Sequence, residues 1–411
     1  MLAAILLSAS LAAAGAAPAE VGAELEPDPS TRVVIVLIDD VGPDLFESAE
    51  TPVIDALDAL AARYTVWTYP SCSPTRAALI TSQYGFRTGI GQALPPSATT
   101  GGLDPDTETV ADRTPLKSVW LGKWHVATPL TDLGHPQACG FDLMAGAMHN
   151  LNPAVPGMSG FFDWTKAVQG TSYPRTTYNT ADLFDDAVRA VGPLNGRLVF
   201  VAPNAVHTPY HVPPAELYTP PPVPATDRDR AEAMLEAVDT ELGRLVAALG
   251  PADFLFVLSD NGTEGLIAPD PSRAKGTLCQ VWMAMALGVI GAGIEPGERL
   301  GLVDVVDLGP TALELLGETD VSGTDGLSIA TSLFDAEAPT PRVHSYSERF
   351  LAGGAERQRA IRDVRYKLIR RDSAPDELFD LWADPGECCP LAPTGPAGQA
   401  LSDAMTALSG P

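Results

Sequence analysis

Basic residues are scarce in this sequence. Its 411 residues carry 26 Lys and Arg against 52 Asp and Glu, a formal net charge of −26. Such a balance excludes a nucleic-acid-binding surface and favours solubility. Only five of the bases are lysines: Lys117, Lys123, Lys166, Lys275 and Lys367. Their positions are therefore informative. Cysteine is sparse too, at five residues, and none pairs with a histidine at zinc-site spacing. Beyond the first nineteen residues no hydrophobic run is long enough to cross a membrane, so no stable membrane span is expected.

What is present begins at the N-terminus. Residues 1–19 are mostly Ala, Leu and Ile, with no charged side chain before Glu20. The run ends in Ala14-Gly15-Ala16 and Ala17-Pro18-Ala19, the small-x-small pattern of a signal-peptidase site. A signal peptide over 1–19 and an exported protein, periplasmic or extracellular, are the expectation. Export permits disulfides. With Cys72 set aside, Cys139, Cys279, Cys388 and Cys389 remain, and their connectivity is open.

Cys72 is set aside because of its neighbours. Cys72-Ser73-Pro74-Thr75-Arg76 has the spacing Cys-x-Pro-x-Arg. At this composition chance supplies about 0.02 such matches per chain. Pro74 suits the first turn of a helix running to about Gln83, since its missing N–H costs nothing there. Position 72 then lies at a helix N-terminus, where free N–H groups favour an anion.

Residues 33–38 are a continuous apolar run, read as a buried strand of a mostly parallel sheet, and residues 118–121, 198–202 and 254–258 read as further strands. Residues 51–63 and 227–249 read as helices. Residues 144–178 lack clear periodicity but carry several aromatics, and read as a substrate-shaping lid. Asp39, Asp40, Lys123, His125, His207, Asp260 and Asn261 all fall just beyond the C-terminal end of an apolar run. In open α/β sheets ligands bind outside those ends, so the residues are expected to converge.

Their chemistry is consistent with one site. Asp39, Asp40, Asp260 and Asn261 are hard oxygen donors, suited to Ca²⁺ or Mg²⁺ rather than Zn²⁺. Lys123 and His125 alternate around Trp124, so an extended backbone would turn both to one side. A lysine there neutralises developing charge, and a histidine moves protons near neutral pH. His207 and Lys275 form a second such pair. His135, His149, His211 and His344 read as surface histidines.

These residues resemble the type I, formylglycine-dependent sulfatases of the alkaline-phosphatase-like superfamily, and within it the arylsulfatase and N-acetylgalactosamine-sulfatase branch. The resemblance runs from Asp39-Asp40-Val41-Gly42 through Cys72-Ser73-Pro74-Thr75-Arg76, Gly122-Lys123-Trp124-His125, His207-Thr208-Pro209, Ser259-Asp260-Asn261-Gly262 and Lys275-Gly276-Thr277. In the tail it takes in Tyr366-Lys367-Leu368-Ile369 and Asp384-Pro385-Gly386-Glu387.

The resemblance implies sulfate-ester hydrolysis. Cys72 would be oxidised to formylglycine by a formylglycine-generating enzyme, and a hydroxyl of its hydrate would attack sulfur. Asp39, Asp40, Asp260 and Asn261, with residue 72, would bind Ca²⁺. Arg76 and Lys123 would stabilise the nucleophile. His125 would take a proton as sulfate is expelled, and His207 and Lys275 would grip the sulfate and protonate the leaving oxygen. The substrate would be a sulfated small molecule or glycan. A phosphate or phosphonate ester hydrolase and a noncatalytic sulfoglycan-binding relative are the rival readings.

The implied fold is an α/β sandwich with a large central mixed sheet flanked by helices. It would occupy residues 30–334, with a small C-terminal α+β subdomain, 335–411, carrying an antiparallel sheet. Two departures from the pattern touch the pocket rim. The stretch between Leu103 and Gly122 is short, and Cys279-Gln280-Val281 stands where a Glu-Gly-Gly turn is usual.

Overall fold

The computed structural model of the chain describes residues 29–155, 158–219, 223–318 and 320–410. The expected signal peptide lies outside the described residues. Among them no helix is long and apolar enough to cross a membrane.

Eleven strands form the central sheet: β1 (Val33–Ile38), β2 (Ala62–Trp67), β3 (Ser118–Gly122), β4 (Leu143–Gly146), β5 (Trp164–Val168), β6 (Thr171–Arg175), β7 (Leu198–Ala202), β8 (Phe254–Ser259), β9 (Ala284–Ile290), β10 (Gly297–Glu298) and β11 (Val303–Asp304). Their spatial order is β10-β2-β9-β8-β1-β7-β3-β4-β5-β6, with β11 also on β2. The centre, β8-β1-β7-β3-β4, is parallel, whereas β9 and β5 run antiparallel to their neighbours. The expected mixed sheet is borne out.

The apolar runs owe their continuity to burial on both faces. Along β1, Val33, Ile35 and Leu37 enter one hydrophobic core, while Val34, Val36 and Ile38 enter a second across the sheet. Strands β7 and β8 divide in the same way. Helices on each face supply the other wall. Among them Asp227–Val246 opens with a reciprocal Thr226/Asp229 capping box and buries Met234, Leu235, Val238, Leu242 and Leu245.

Two expectations are corrected. The helix assigned to 51–63 is Pro52–Asp58 only, and Arg63 already belongs to β2. Tyr64 and Val66 face the core while Thr65 faces outward, a strand alternation that follows the helix after a short turn. The segment read as a lid, 144–178, is in part sheet: the end of β4 and the β5–β6 hairpin extend the sheet edge, and Phe161 and Trp164 are buried.

A second, four-stranded antiparallel sheet follows: β12 (Ser345–Arg349), β13 (Gln358–Arg362), β14 (Tyr366–Arg371) and β15 (Ala374–Asp380), in sequential order. The helix Pro396–Ser409 covers it through Leu401 and Met405. All five cysteines are free thiols, so none of the permitted disulfides forms.

Candidate active site

The C-terminal ends of β1, β3, β7 and β8 lie side by side, and β2 runs the same way. Each delivers part of one cluster. β1 ends in Asp39-Asp40, and Asp40 takes a left-handed φ of 60°. Its N–H bonds Asp260 Oδ1 at 3.2 Å, which ties the turn after β1 to the turn after β8. Val41 N–H donates to Ser259 Oγ at 3.1 Å, a second tie between the same turns.

β2 leads through residues 68–71 into the helix Cys72–Thr81, which is buried along its whole length. Cys72 is its first residue, two positions before Pro74, so position 72 does sit among free N–H groups. Thr75 Oγ1 donates to the carbonyl of Asp260 at 2.8 Å and locks this helix to the end of β8.

Three permanent cations meet three carboxylates here. Arg76 and Lys123 have no exposure to solvent. Arg76 Nη2 bonds Asp260 Oδ2 at 2.9 Å and lies 3.7 Å from Asp39, while Nη1 donates to the Lys123 carbonyl at 2.8 Å. Lys123 Nζ is ion-paired with Asp39. Lys275 Nζ pairs with Asp40, 2.6 Å from Oδ1 and 2.7 Å from Oδ2. His207 Nε2 lies 3.9 Å from Asp40 Oδ2.

The environment sets the protonation states. Burial pushes the Asp39 carboxyl up, but Lys123 and Arg76 outweigh it and hold it well below the usual carboxylate range. For Asp260, burial and then the Asp39 charge push the carboxyl up. Burial disfavours the charged form of Lys275, yet Asp40 holds its proton well above the usual lysine range. Burial pushes His207 down to about 4 despite Asp40. It also pushes the Cys72 thiol up to about 11, so near neutral pH the residue is a thiol, the unreactive form.

His125 is held well below the usual imidazole range by burial, then by Lys123 and Arg76. Its Nε2 lies 3.0 Å from the Leu94 carbonyl. A carbonyl only accepts, so Nε2 carries the proton and Nδ1 keeps its lone pair. Nδ1 is buried and has no hydrogen-bond partner. The alternation expected for 123–125 is interrupted, because His125 itself adopts φ 60°.

The donor set fits a divalent cation. Ligand atoms of Asp39, Asp40 and Cys72 lie within 4.8 Å of one another. Asn261 Nδ2 donates to Asp40 Oδ1 at 2.7 Å, which leaves Asn261 Oδ1 for another partner. That oxygen and Asp39 Oδ1 are both buried with no hydrogen-bond partner. Buried oxygens left unpaired among hard donors are what Ca²⁺ or Mg²⁺ takes up.

Several contributors carry no signal in the sequence. The Leu94 carbonyl fixes the His125 tautomer, and Ser73 Oγ holds that loop by accepting from Leu94 N–H at 3.0 Å. Thr263 accepts from Gly42 N–H at 3.0 Å, and its carbonyl accepts from Lys275 N–H at 3.1 Å.

The histidines read as surface residues need correction in part. His135 is buried, accepting from Trp124 Nε1 at 3.1 Å and donating to the Leu103 carbonyl. His211 packs among Phe161, Phe162 and Tyr178. His149 is half-buried, and its carbonyl accepts from Asn204 Nδ2. His344 remains partly exposed.

Comparison with known proteins agrees with this architecture. No protein-family profile matches the chain. It is 28% identical over 361 residues to human (Homo sapiens) N-acetylgalactosamine-6-sulfatase, covering 76% of this chain and 67% of that one. The structure of Ps i-CgsB in complex with k-i-k-neocarrahexaose superposes with a TM-score of 0.78 at 24% identity, covering 92% of each chain. BT4656 in complex with its substrate D-glucosamine-2-N,6-O-disulfate gives a TM-score of 0.73 at 16% identity, covering 91% of this chain and 97% of that one. The curated relatives are sulfatases, which are sulfuric ester hydrolases, and the structural neighbours share the alkaline-phosphatase-like fold.

Proposed function

We propose that this sulfatase relative hydrolyses sulfate monoesters of a sugar, using formylglycine made from Cys72 and a bound divalent cation. The observation that carries the reading is the buried cluster around Cys72. Three carboxylates and three cations converge on a thiol that burial keeps unreactive, at the mouth of a helix N-terminus.

Asp39, Asp40, Asp260, Asn261 and residue 72 would hold the cation, Ca²⁺ or Mg²⁺. When bound it would supply positive charge to a sulfate oxygen and favour ionisation of the nucleophile. Three carboxylates against three cations leave the protein's own cluster near neutral. A divalent ion would turn it into a positive island inside a protein of charge −26, which is what an anionic ester requires.

Converted to an aldehyde, residue 72 supplies the hydrated nucleophile that a thiol held at about 11 does not. Arg76 and Lys123 hold the charge around it. His125 Nδ1, a buried and unpartnered lone pair, is the base for its proton. Lys275 grips the sulfate. His207 Nδ1 donates to the Thr208 carbonyl at 2.7 Å, so Nε2, 3.9 Å from Asp40, holds the lone pair and must take up a proton before it can pass one to the leaving oxygen.

On this reading the chain is exported, is matured by a formylglycine-generating enzyme, and divides into a catalytic domain, 30–334, and a C-terminal subdomain, 335–411. A sugar substrate is supported by relatives whose names or bound ligands are sugars: N-acetylgalactosamine, k-i-k-neocarrahexaose and D-glucosamine-2-N,6-O-disulfate.

The test is peptide mass spectrometry of the chain from its native host, paired with turnover of matched aryl sulfate and aryl phosphate esters. Exchange of thiol for aldehyde removes about 18 Da at Cys72. That loss, with faster sulfate than phosphate turnover, is expected. A thiol throughout and no turnover would sink the proposal.

A further inference from the structure

Two tail motifs, Tyr366-Lys367-Leu368-Ile369 and Asp384-Pro385-Gly386-Glu387, play no part in the chemistry above. Their charged residues nonetheless meet beneath the loop that carries Lys275. Lys367, on β14, is fully buried against the Trp67 ring, its Nζ 5.3 Å from the centroid. Nζ donates to the Leu278 carbonyl at 2.5 Å and pairs with Glu387 Oε1 at 2.5 Å. Glu387 Oε2 accepts from the N–H of Gln280 at 2.6 Å. From β12, Arg349 Nη1 donates to the Gly276 carbonyl at 3.1 Å.

The loop is thus held at three backbone points, residues 276, 278 and 280, by side chains of β12, of β14 and of the segment that follows β15. Its other attachments lead to the reacting centre. Lys275 N–H bonds the Thr263 carbonyl, and Gly276 N–H donates at 2.7 Å to the carbonyl of Pro70, two residues before Cys72. A small apolar cluster of Trp67, Leu278, Met283, Ile369 and Phe379 seals the junction.

Stability alone does not explain a buried ion pair here. Desolvating both charges offsets their attraction, and apolar residues of similar size often serve as well. What apolar residues lack is directed bonds to backbone groups. Cys279-Gln280-Val281 also stands where the family has a turn of its own, so this loop depends on outside support.

We infer that Lys367, Glu387 and Arg349 are positioning residues for Lys275, through which the second sheet sets the reach of the sulfate-gripping lysine. The inference rests on the sulfatase reading for its activity readout. A misplacement of about 1 Å at a reacting group can cost about 100-fold in rate.

The test is a double-mutant cycle with Lys367→Met and Arg349→Met, each in the native and the Lys275→Ala background, read by kcat/KM on an aryl sulfate. Hydrogen exchange of residues 273–282 is measured alongside. Loss of one of the three holds is expected to lower kcat/KM by about tenfold in the native background and by less than about twofold with Lys275→Ala. Exchange should quicken at Gly276 and Gln280 but not along β1.

Equal losses in both backgrounds, or unchanged loop exchange, would overturn the inference. Arg349 makes a single bond to the loop and is partly exposed, so Arg349→Met decides the matter if Lys367→Met does not fold. If the native chain has no sulfatase activity, the functional reading fails by itself. Loop exchange then still decides whether the clamp exists.

Discussion

Replacing Arg76 by methionine removes a guanidinium but keeps a flexible side chain of similar reach. In the native chain Arg76 is fully buried and bonds Asp260 and the Lys123 carbonyl at 2.9 and 2.8 Å. Methionine leaves a buried carboxylate short of its counter-ion and a buried carbonyl with only Trp120 Nε1, at 3.1 Å, as donor. Breaking such a pair from one side costs about 3–5 kcal/mol.

Unfolding entropy of about 2.1 cal/mol/K per residue gives roughly 0.9 kcal/mol/K for a chain this long, so Tm should fall by about 5 °C. Two conditions should modulate the loss. Added Ca²⁺ should narrow it, because the ion supplies the missing positive charge to the same carboxylates. Acid should narrow it too. The Asp260 carboxyl is raised in the folded state, and losing Arg76 raises it further. A raised carboxyl contributes stability at low pH that is lost as pH climbs through its folded value. The deficit should therefore be smaller near pH 5 than near pH 8. Calorimetry of both proteins at the two pH values, with and without Ca²⁺, measures all three effects. A deficit below about 1 kcal/mol, or one indifferent to calcium and pH, would refute the counter-ion assignment.

Other consequences are direct. Cys72→Ala should remove the aldehyde signal and lower kcat by more than about 1,000-fold, while Tm shifts by only about 1–2 °C; retained turnover would rule out residue 72 as nucleophile. Chelation should abolish turnover and lower Tm by about 3 °C if the ion was present at about 100 times its Kd, and Asp40→Asn should blunt that Tm response. Asp239 accepts from Val53 and Ile54 N–H at 3.0 and 2.7 Å, and burial pushes its carboxyl up to about 6. That contribution is present below about pH 4 and is lost through pH 6, so Asp239→Asn should gain on the native protein by up to about 3 kcal/mol from pH 4 to 7. A gap independent of pH in calorimetric melts would contradict it.

The central strands and the residues at their ends were readable because both faces of those strands are buried. Val33–Ile38 has no polar residue to interrupt it, and Asp39-Asp40 stands out by contrast. The first two residues of β2 read as the end of a helix because Leu57 and Leu60 fit helical spacing, and Arg63 and Thr65 interrupt the apolar run that would mark the strand. The β5–β6 hairpin was lost because β6 is an exposed edge strand containing Pro174, with no core face to impose alternation. Contacts between distant positions leave no mark in a single sequence. The His125–Leu94 bond spans 31 residues, and the Lys367–Leu278 bond spans 89. Motif spacing brought the charged residues to the carboxyl ends of the central strands, but only the fold shows which carboxylate each base faces.

Those pairings would let so acidic a chain carry the proposed site for an anion. Lys123, Arg76 and Lys275 are each engaged by a carboxylate. If the bases were alone, burial would drive off their protons; the carboxylates keep them charged. If the carboxylates were alone, three negative charges within a few ångströms would take up protons and lose their value as hard ligands. Each set maintains the other in its ionised form, near electrical balance, in a part of the protein closed to water. On the proposed reading, a divalent ion entering at the unpaired oxygens of Asp39 and Asn261 would tip that balance positive at one point, beside Cys72. The scarcity of lysine and arginine elsewhere then matters little. Screening confines the −26 surface charge to within about 8 Å at physiological ionic strength, whereas the buried charges act on a bound ester almost unscreened.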